Sequence, residues 1–172
     1  PSKARIHARL PSRFVGAALL ATPAVGLVAG RLIWKAGPES HPTFQRLTFR
    51  RGPIQSARFA PDGHTVIYSA SWDGAQKPEL FSTRVESPES LRLALPEGKV
   101  EAISRAGEML VLSSLRVASG YAMIGTLSQA PLSGSASRAL LEDVAAADWS
   151  PDGTNMAVVR APQWRYRLEF PA

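Results

Sequence analysis

The sequence has no cysteine and only three histidines among its 172 residues. Without cysteine, the chain has no disulfide framework, no thiolate zinc site and no cysteine nucleophile. With histidines only at positions 7, 41 and 64, a histidine-based metal cage or catalytic triad lacks the residues to build it. We therefore assign no catalytic, cofactor-binding or metal-ligating residue from the sequence.

Charge is unevenly distributed along the chain, whose net charge is +6. Residues 1–51 hold nine basic residues and one acidic residue, a net charge of +8. Residues 52–172 hold 11 basic and 13 acidic residues, a net charge of −2. A nucleic-acid-binding domain concentrates basic residues on its folded surface. Because the basic excess here is confined to one end, we expect no nucleic-acid partner.

A long apolar run lies between the basic residues of this end. Residues 14–30 carry no charge, and Arg31 can extend toward lipid headgroups so that the run continues to Trp34. At 1.5 Å per residue, residues 14–34 span about 31 Å, close to a bilayer core of about 30 Å. We predict a basic cytoplasmic juxtamembrane tail at 1–13, a single transmembrane helix at 14–34 in contact with the bilayer, and a linker at 35–42. The predicted membrane anchors are Arg13, Arg31, Trp34 and Lys35.

The same run allows other interpretations. A basic segment, an apolar run and small residues at 28–30 also fit a cleaved secretory signal peptide, and a buried helix of a soluble domain is a weaker fit. Gly26-x-x-x-Gly30 is a close-packing motif for helix pairs, so a homodimer is a candidate assembly. The basic residues on the two sides do not decide the orientation. Because the first residue is Pro1, we expect a fragment of a longer protein.

From residue 43 onward the sequence repeats. Residues 57–63 (ARFAPDG) match residues 147–153 (ADWSPDG), and residues 103–108 (ISRAGE) lie halfway, so that the three glycines are 44 and 46 residues apart. In Pro-Asp-Gly, proline presets φ, aspartate bonds the backbone and glycine accepts a positive φ, which predicts a tight turn between strands. A period near 45 residues is typical of four-stranded propeller blades.

The expected fold is therefore all-β, an incomplete β-propeller of about three four-stranded blades preceded by a single transmembrane α-helix. The blades are expected at about 53–98, 99–142 and 143–172, within a domain at 43–172. Three blades cannot close a ring, and the last one ends before its fourth strand, which again indicates a fragment. The predicted strands are 44–49, 54–59, 65–71, 79–84, 91–95, 100–104, 109–115, 122–127, 137–141, 144–149, 155–160 and 165–170.

The repeat residues carry a family resemblance. Residues 60–74 (APDGHTVIYSASWDG), 79–81 (ELF) and 149–153 (WSPDG) resemble the repeats of TolB-type, WD-repeat-like β-propellers. Residues 43–172 as a whole also resemble the extracytoplasmic propeller of bacterial eukaryotic-like serine/threonine kinases. In those kinases a single membrane helix joins a cytoplasmic kinase domain to such repeats. The resemblance covers about three quarters of the chain, and its motifs indicate the fold better than the function.

This resemblance implies a membrane-anchored binding or sensor module for signalling. It places the chain in the bacterial inner membrane, with the propeller outside the cytoplasm and a protein or peptide as its ligand. No kinase motif of the Gly-rich, HRD or DFG type occurs here, so we expect no enzyme activity in this chain, and a kinase domain would lie upstream. The alternatives are a TolB-like periplasmic interaction propeller with a signal peptide, and the propeller of a serine peptidase whose Gly-x-Ser-x-Gly hydrolase domain is missing.

The candidate site residues are structural, because they belong to the turns of the repeats. The aspartates of the Pro-Asp-Gly turns are interpreted as turn formers, in preference to metal ligands or catalytic acids. Trp72 is interpreted as part of a turn between strands, with a ligand-facing surface as the alternative. No cofactor is expected. The turn residues are Pro61, Asp62, Gly63, Asp73, Gly74, Pro151, Asp152 and Gly153.

Overall fold

The structure, a computed structural model, describes residues 42–119 and 122–170. These residues form ten β-strands and one short 3₁₀ turn at Pro162–Trp164, and no α-helix occurs among them. The strands build two antiparallel sheets, one of four strands and one of six. The prediction of an all-β fold is confirmed for this part of the chain.

The first sheet is a meander of four strands that neighbour one another in sequence order. Its strands β1 and β3 coincide with two of the predicted strands. β2 (TVIYSA) is buried along nearly its whole length, so neither of its faces is open to solvent. The strands are β1 (Ile54–Phe59), β2 (Thr65–Ala70), β3 (Glu79–Arg84) and β4 (Ser87–Arg92).

The second sheet has six strands in the order β10-β9-β8-β7-β6-β5. Each pairs with the next in sequence, so this sheet is also a meander. Its β6–β7 hairpin is longer than predicted at both strands. The strands are β5 (Gly98–Ile103), β6 (Glu108–Ser119), β7 (Ala122–Pro131), β8 (Arg138–Trp149), β9 (Met156–Arg160) and β10 (Arg167–Glu169).

The strand β8 joins what the sequence predicts as two separate blades. Its first half pairs with β7 and its second half with β9, so the ladder is not interrupted. Asp143 has a φ of 59°, and the register with β9 shifts between Val144 and Ala146, which bends the strand in the middle. Instead of three separate four-stranded blades, the described residues therefore form one four-stranded sheet and one bent six-stranded sheet.

The middle repeat is the interior of this arrangement, because the first half of β6 is buried on both faces. Met109 and Val111 pack toward the first sheet, and Leu110 and Leu112 pack toward β8 and β9. All four are at most 3% exposed. One core cluster contains Ile67, Leu80, Leu93, Leu95, Val100, Met109, Val111 and Ala130, and the other contains Ala102, Leu110, Leu112, Leu127, Val144, Ala147 and Val158.

The three predicted repeats share the turn that follows β1, β5 and β8. In each, a glycine N–H donates to the carbonyl three residues earlier, at 2.8–3.0 Å. The three glycines, Gly63, Gly107 and Gly153, have φ values of 70°, 84° and 74°, a conformation that side chains with a Cβ rarely adopt. We call β1, β5 and the second half of β8 the inner strands, because β5 lies against both of the others.

Two predicted strands are wrong. Residues 44–49 form no strand, because they pair with no neighbouring strand and make only isolated contacts such as the one from Gln45 Nε2 to the Val85 carbonyl. The last strand of the first sheet lies at Ser87–Arg92, earlier than the predicted 91–95. Leu93 and Leu95, which belong to the predicted strand, lie beyond the observed one and pack in the core.

The predicted transmembrane helix at 14–34 lies outside the described residues. So do its predicted anchors, which are Arg13, Arg31, Trp34 and Lys35. Between residues 42 and 170, leaving out 120 and 121, the chain has no helix with the length and hydropathy needed to cross a bilayer.

Candidate functional site

Each inner strand contains a β-bulge, which sequence reasoning did not find. In β1 the extra residue is Gln55, in β5 it is Glu101, and in β8 it is Ala145. A bulge leaves one residue out of the ladder and redirects its side chain, and bulges occur often beside functional sites. Of the three extra residues, only the one in the middle repeat is charged.

The bulge in β5 also lies closer to its turn than the other two. Counted back from the end of the strand, Glu101 occupies the position of Ala57 in β1 and Ala147 in β8. Residues two apart on a regular strand share a face, but here Val100 packs in one core cluster and Ala102 in the other. The shifted bulge thus brings a carboxylate into a position where the other repeats have a methyl group.

The Glu101 side chain is buried with only 6% exposed, although it carries an ionisable group. Lys99 Nζ lies 2.8 Å from Oε1, an ion-pair distance, but the angle is not that of a hydrogen bond. Arg58 Nε donates a 2.6 Å hydrogen bond to the Glu101 carbonyl, and Arg58 Nη1 donates one to the Ala57 carbonyl. Burial raises the pKa of Glu101, and the contacts with Lys99 and the charge of Arg58 offset only part of this effect.

Glu101 lines a cleft of about 290 Å³ where the inner strands meet. One side of the cleft comes from Arg58 and Glu101, and the other comes from β8, β9 and β10. Its wall is mostly aliphatic, and its charged groups are two carboxylates and one guanidinium. We call it the inner-strand cleft; its lining residues are Arg58, Glu101, Ala146, Ala147, Asp148, Ala157, Val159 and Leu168.

The chemistry of the inner-strand cleft suits binding. Its lining contains no serine, threonine, cysteine, histidine or lysine, so it offers no hydroxyl, thiol or amine nucleophile. A small cleft with apolar walls and a few converging polar groups is typical of a recognition site. Among residues 42–119 and 122–170, no three His, Asp or Glu side chains are grouped closely enough to hold a metal ion.

The aspartates of the two Pro-Asp-Gly turns lie outside this cleft and bond their own turns. Asp62 accepts hydrogen bonds from the His64 and Thr65 amides and from the Thr65 hydroxyl. Asp152 accepts them from the Thr154 amide, the Thr154 hydroxyl and the Ser150 hydroxyl. These bonds lower the pKa of each carboxyl to about 2. Both carboxylates are therefore occupied by the backbone and hydroxyl groups that close the turns.

The turn at Asp73 and Gly74 connects β2 to β3. Both residues have positive φ, 54° and 88°, as a tight turn between antiparallel strands requires. Asp73 forms a 2.6 Å ion pair with Arg50, whose guanidinium also lies over the Trp72 ring. Trp72 is only 6% exposed and packs against Tyr68 and other aromatic residues. The alternative that Trp72 lines a ligand-facing surface is therefore wrong.

One residue pattern in the sequence indicates the cleft. The predicted strand at 100–104 contains a glutamate between apolar residues, and Lys99 stands two positions before it. Alternation alone assigns such a residue to a solvated face. The burial of Glu101 depends on the bulge and on strands from two other repeats, and neither is visible in the local pattern.

Comparison with known proteins shows the fold. The chain is similar to the crystal structure of TolB from Acinetobacter baumannii, with a TM-score of 0.54 and 17% sequence identity. The match covers 71% of this chain and 30% of that one, so the chain spans less than a third of its neighbour. No family model matches the chain, and no curated protein matches its sequence. The described residues thus have a TolB-like fold.

Proposed function

We propose that this chain is a protein-interaction module that binds a peptide segment of a partner in the inner-strand cleft. The observation that carries the proposal is Glu101, a buried ionisable side chain that lines a cleft between repeats. Keeping a carboxylate at 6% exposure costs desolvation energy, and such residues are enriched at functional sites. The TolB-like fold supports the proposal by its architecture alone.

The wider setting of the module is part of the proposal. We infer a membrane anchor at 14–34, the β-sheets outside the cytoplasm of a bacterium, and a parent serine/threonine kinase with its catalytic domain upstream. The apolar run and its basic flanks support the anchor, and the resemblance of the repeats supports the orientation and the parent kinase. An alkaline phosphatase fused after residue 172 should be active in bacteria, because this enzyme folds only outside the cytoplasm. An inactive fusion that is present in the membrane fraction would contradict the orientation.

A second candidate is a TolB-like envelope protein that is released after cleavage of a signal peptide. The structural likeness to TolB favours this envelope protein over the peptidase alternative, which no separate observation supports. The two settings differ in the mass of the mature protein. An intact chain in the membrane fraction supports the anchor, whereas a soluble product that starts after residue 30 supports the signal peptide.

Binding is tested with a random peptide library displayed on phage and selected against the full chain in mild detergent. Each enriched peptide is then offered to two variants with a photo-crosslinking residue, one replacing Leu168 and one replacing Leu91. The two leucines are 73% and 70% exposed, but only Leu168 lines the cleft. We expect crosslinked peptide at Leu168 and little at Leu91. The absence of enriched peptides, or equal crosslinking at both positions, would refute the proposed function.

A further inference from the structure

We propose that the inner-strand cleft receives a lysine or arginine side chain of the partner polypeptide, with Glu101 and Asp148 binding its cationic head group. The inference rests on the proposed function and specifies the chemistry of its ligand. It is carried by three independent properties of the cleft, which are its charge, its shape and the position of Glu101.

The charged groups of the lining favour a cation. Two carboxylates, on Glu101 and Asp148, line the cleft together with one guanidinium, on Arg58. Arg58 already donates from Nε and Nη1 to two backbone carbonyls, so it is held against the protein. Lys99 contacts Oε1 of Glu101 but is not part of the lining. The lining residues alone have a formal charge of −1, and with Lys99, whose ammonium pairs with Glu101 from outside the lining, the sum is zero. The attraction for a positively charged group therefore comes from the placement of the two carboxylates in the cleft and not from its net charge.

The shape of the cleft fits a long side chain with a charged end. Three alanines, Val159 and Leu168 provide an aliphatic wall, against which the methylene groups of a lysine or arginine can pack. The volume of about 290 Å³ is at the lower end for small-molecule pockets, which suits one side chain better than a drug-sized ligand. A peptide backbone would lie over the mouth of the cleft.

The position of Glu101 is difficult to explain by packing. Counted from the strand end, the residues at this place in β1 and β8 are alanines, and the bulge residues of those two strands are Gln55 and Ala145, so neither other inner strand places an acidic residue here. Burial removes the carboxylate from water, and the charges of Lys99 and Arg58 compensate only in part for the lost hydration. The raised pKa of Glu101 reflects this incomplete compensation. A bound ammonium or guanidinium supplies that charge in a place from which water is largely excluded.

The test begins with the peptides selected on the full chain. We expect the enriched peptides to share a lysine or arginine at the position that crosslinks to the cleft. Replacing that residue by norleucine, which keeps the stem and removes the charge, should weaken binding about tenfold or more. Free Nα-acetyl-lysine amide should compete only weakly, which distinguishes a polypeptide ligand from a small amine.

The matched variants are Glu101→Gln and Glu97→Gln. Both remove one carboxylate, but Glu97 is exposed and pairs with Lys77 away from the cleft. Glu101→Gln should bind the lysine and norleucine peptides with almost equal affinity. Glu97→Gln should keep the higher affinity for the lysine peptide. Should Glu101→Gln fail to fold, Asp148→Asn on the exposed side of the cleft is expected to reduce the same difference.

The outcomes separate the two proposals. Peptides that crosslink at Leu168 without a preferred basic residue would overturn the inference and leave the proposed function intact. A basic residue whose effect is unchanged in both Glu101→Gln and Asp148→Asn would also overturn it. If no peptide crosslinks at the cleft, the proposed function itself fails. Tight binding of the free lysine amide would indicate that the ligand is a small amine and not a polypeptide, and would overturn the inference.

Discussion

The inner strands of the first and middle repeats occupy the same place in their repeats but differ in burial. Nearly every residue of β1 is exposed, whereas β5 is buried at four of six positions. β1 pairs with β2 at the edge of its sheet. β5 is also an edge strand, but the first sheet covers one side of it and β8 covers another. Burial of an inner strand thus depends on having a repeat on each side.

This difference explains where the candidate site lies. In a stack of repeats, each unit is stabilised by its neighbours, and only an internal repeat has two of them. A charged side chain of an inner strand is withdrawn from water more completely where packing on both sides surrounds it. Glu101 meets this condition in β5, whereas Ala57 at the same position of β1 is exposed. The middle repeat therefore supplies the buried carboxylate of the cleft.

The largest expected effect compares Val100 in β5 with Ile54 in β1. Val100 is fully buried, so Val100→Ala should cost about 1.6 kcal/mol for two lost methyl groups and about 1 kcal/mol for the cavity. Ile54 is 49% exposed, and Ile54→Ala should cost less than about 1 kcal/mol although it removes more atoms. Urea denaturation measures both. Equal costs would contradict the difference in burial between the two strands.

A second comparison concerns two glycines, Gly98 at the start of β5 and Gly74 in the turn between β2 and β3. A Cβ at position 98 would lie 2.4 Å from the Leu112 carbonyl oxygen, so Gly98→Ala should destabilise the fold by about 1–3 kcal/mol. Gly74→Asn is the control: nothing lies within 4 Å of a Cβ there, so only the backbone strain of a side chain at a φ of 88° remains, and asparagine is among the residues that adopt positive φ most often. A Gly98→Ala variant as stable as the control would show that β5 can move away from β6.

Local sequence patterns predicted much of the sheets but not their relation to each other. The Pro-Asp-Gly turns and the alternation around them located β1 and β3, because these signals act within a few residues. The sequence predicted two strands, 137–141 and 144–149, where the structure has the single strand β8. The bend at Asp143 lies in the gap between the two predicted strands. The cleft was missed because Arg58, Glu101 and Leu168 are brought together by three repeats, and no single window contains them.

A smaller effect concerns how the ionisation of Glu101 makes the stability of the fold depend on pH. Burial raises its pKa in the folded state, so its contribution to stability is present below the ordinary glutamate range and is lost as pH rises through the folded pKa. The Lys99 and Arg58 charges offset part of this effect, and Asp148 lines the same cleft. The Tm of Glu101→Gln minus that of the unmodified chain should therefore increase as pH rises from the ordinary glutamate range through the raised pKa of Glu101. Glu97→Gln should show no such trend, and parallel curves for both variants would contradict the assigned cause.

The smallest effect sharpens the comparison at the turns that follow the inner strands. Asp62 and Asp152 have pKa values lowered to about 2, so their contribution is present above the ordinary pKa of 3.8 and is lost as pH falls toward 2. Both carboxylates are exposed, which limits the effect. The Tm difference between the unmodified chain and an Asp62→Asn, Asp152→Asn double variant should narrow over this range.

The middle turn uses Ser104 Oγ, which accepts a 3.1 Å hydrogen bond from the Glu108 amide and does not titrate. Ser104→Ala should therefore lower Tm by the same amount across the range, and a pH-dependent loss there would show that the turns are not equivalent.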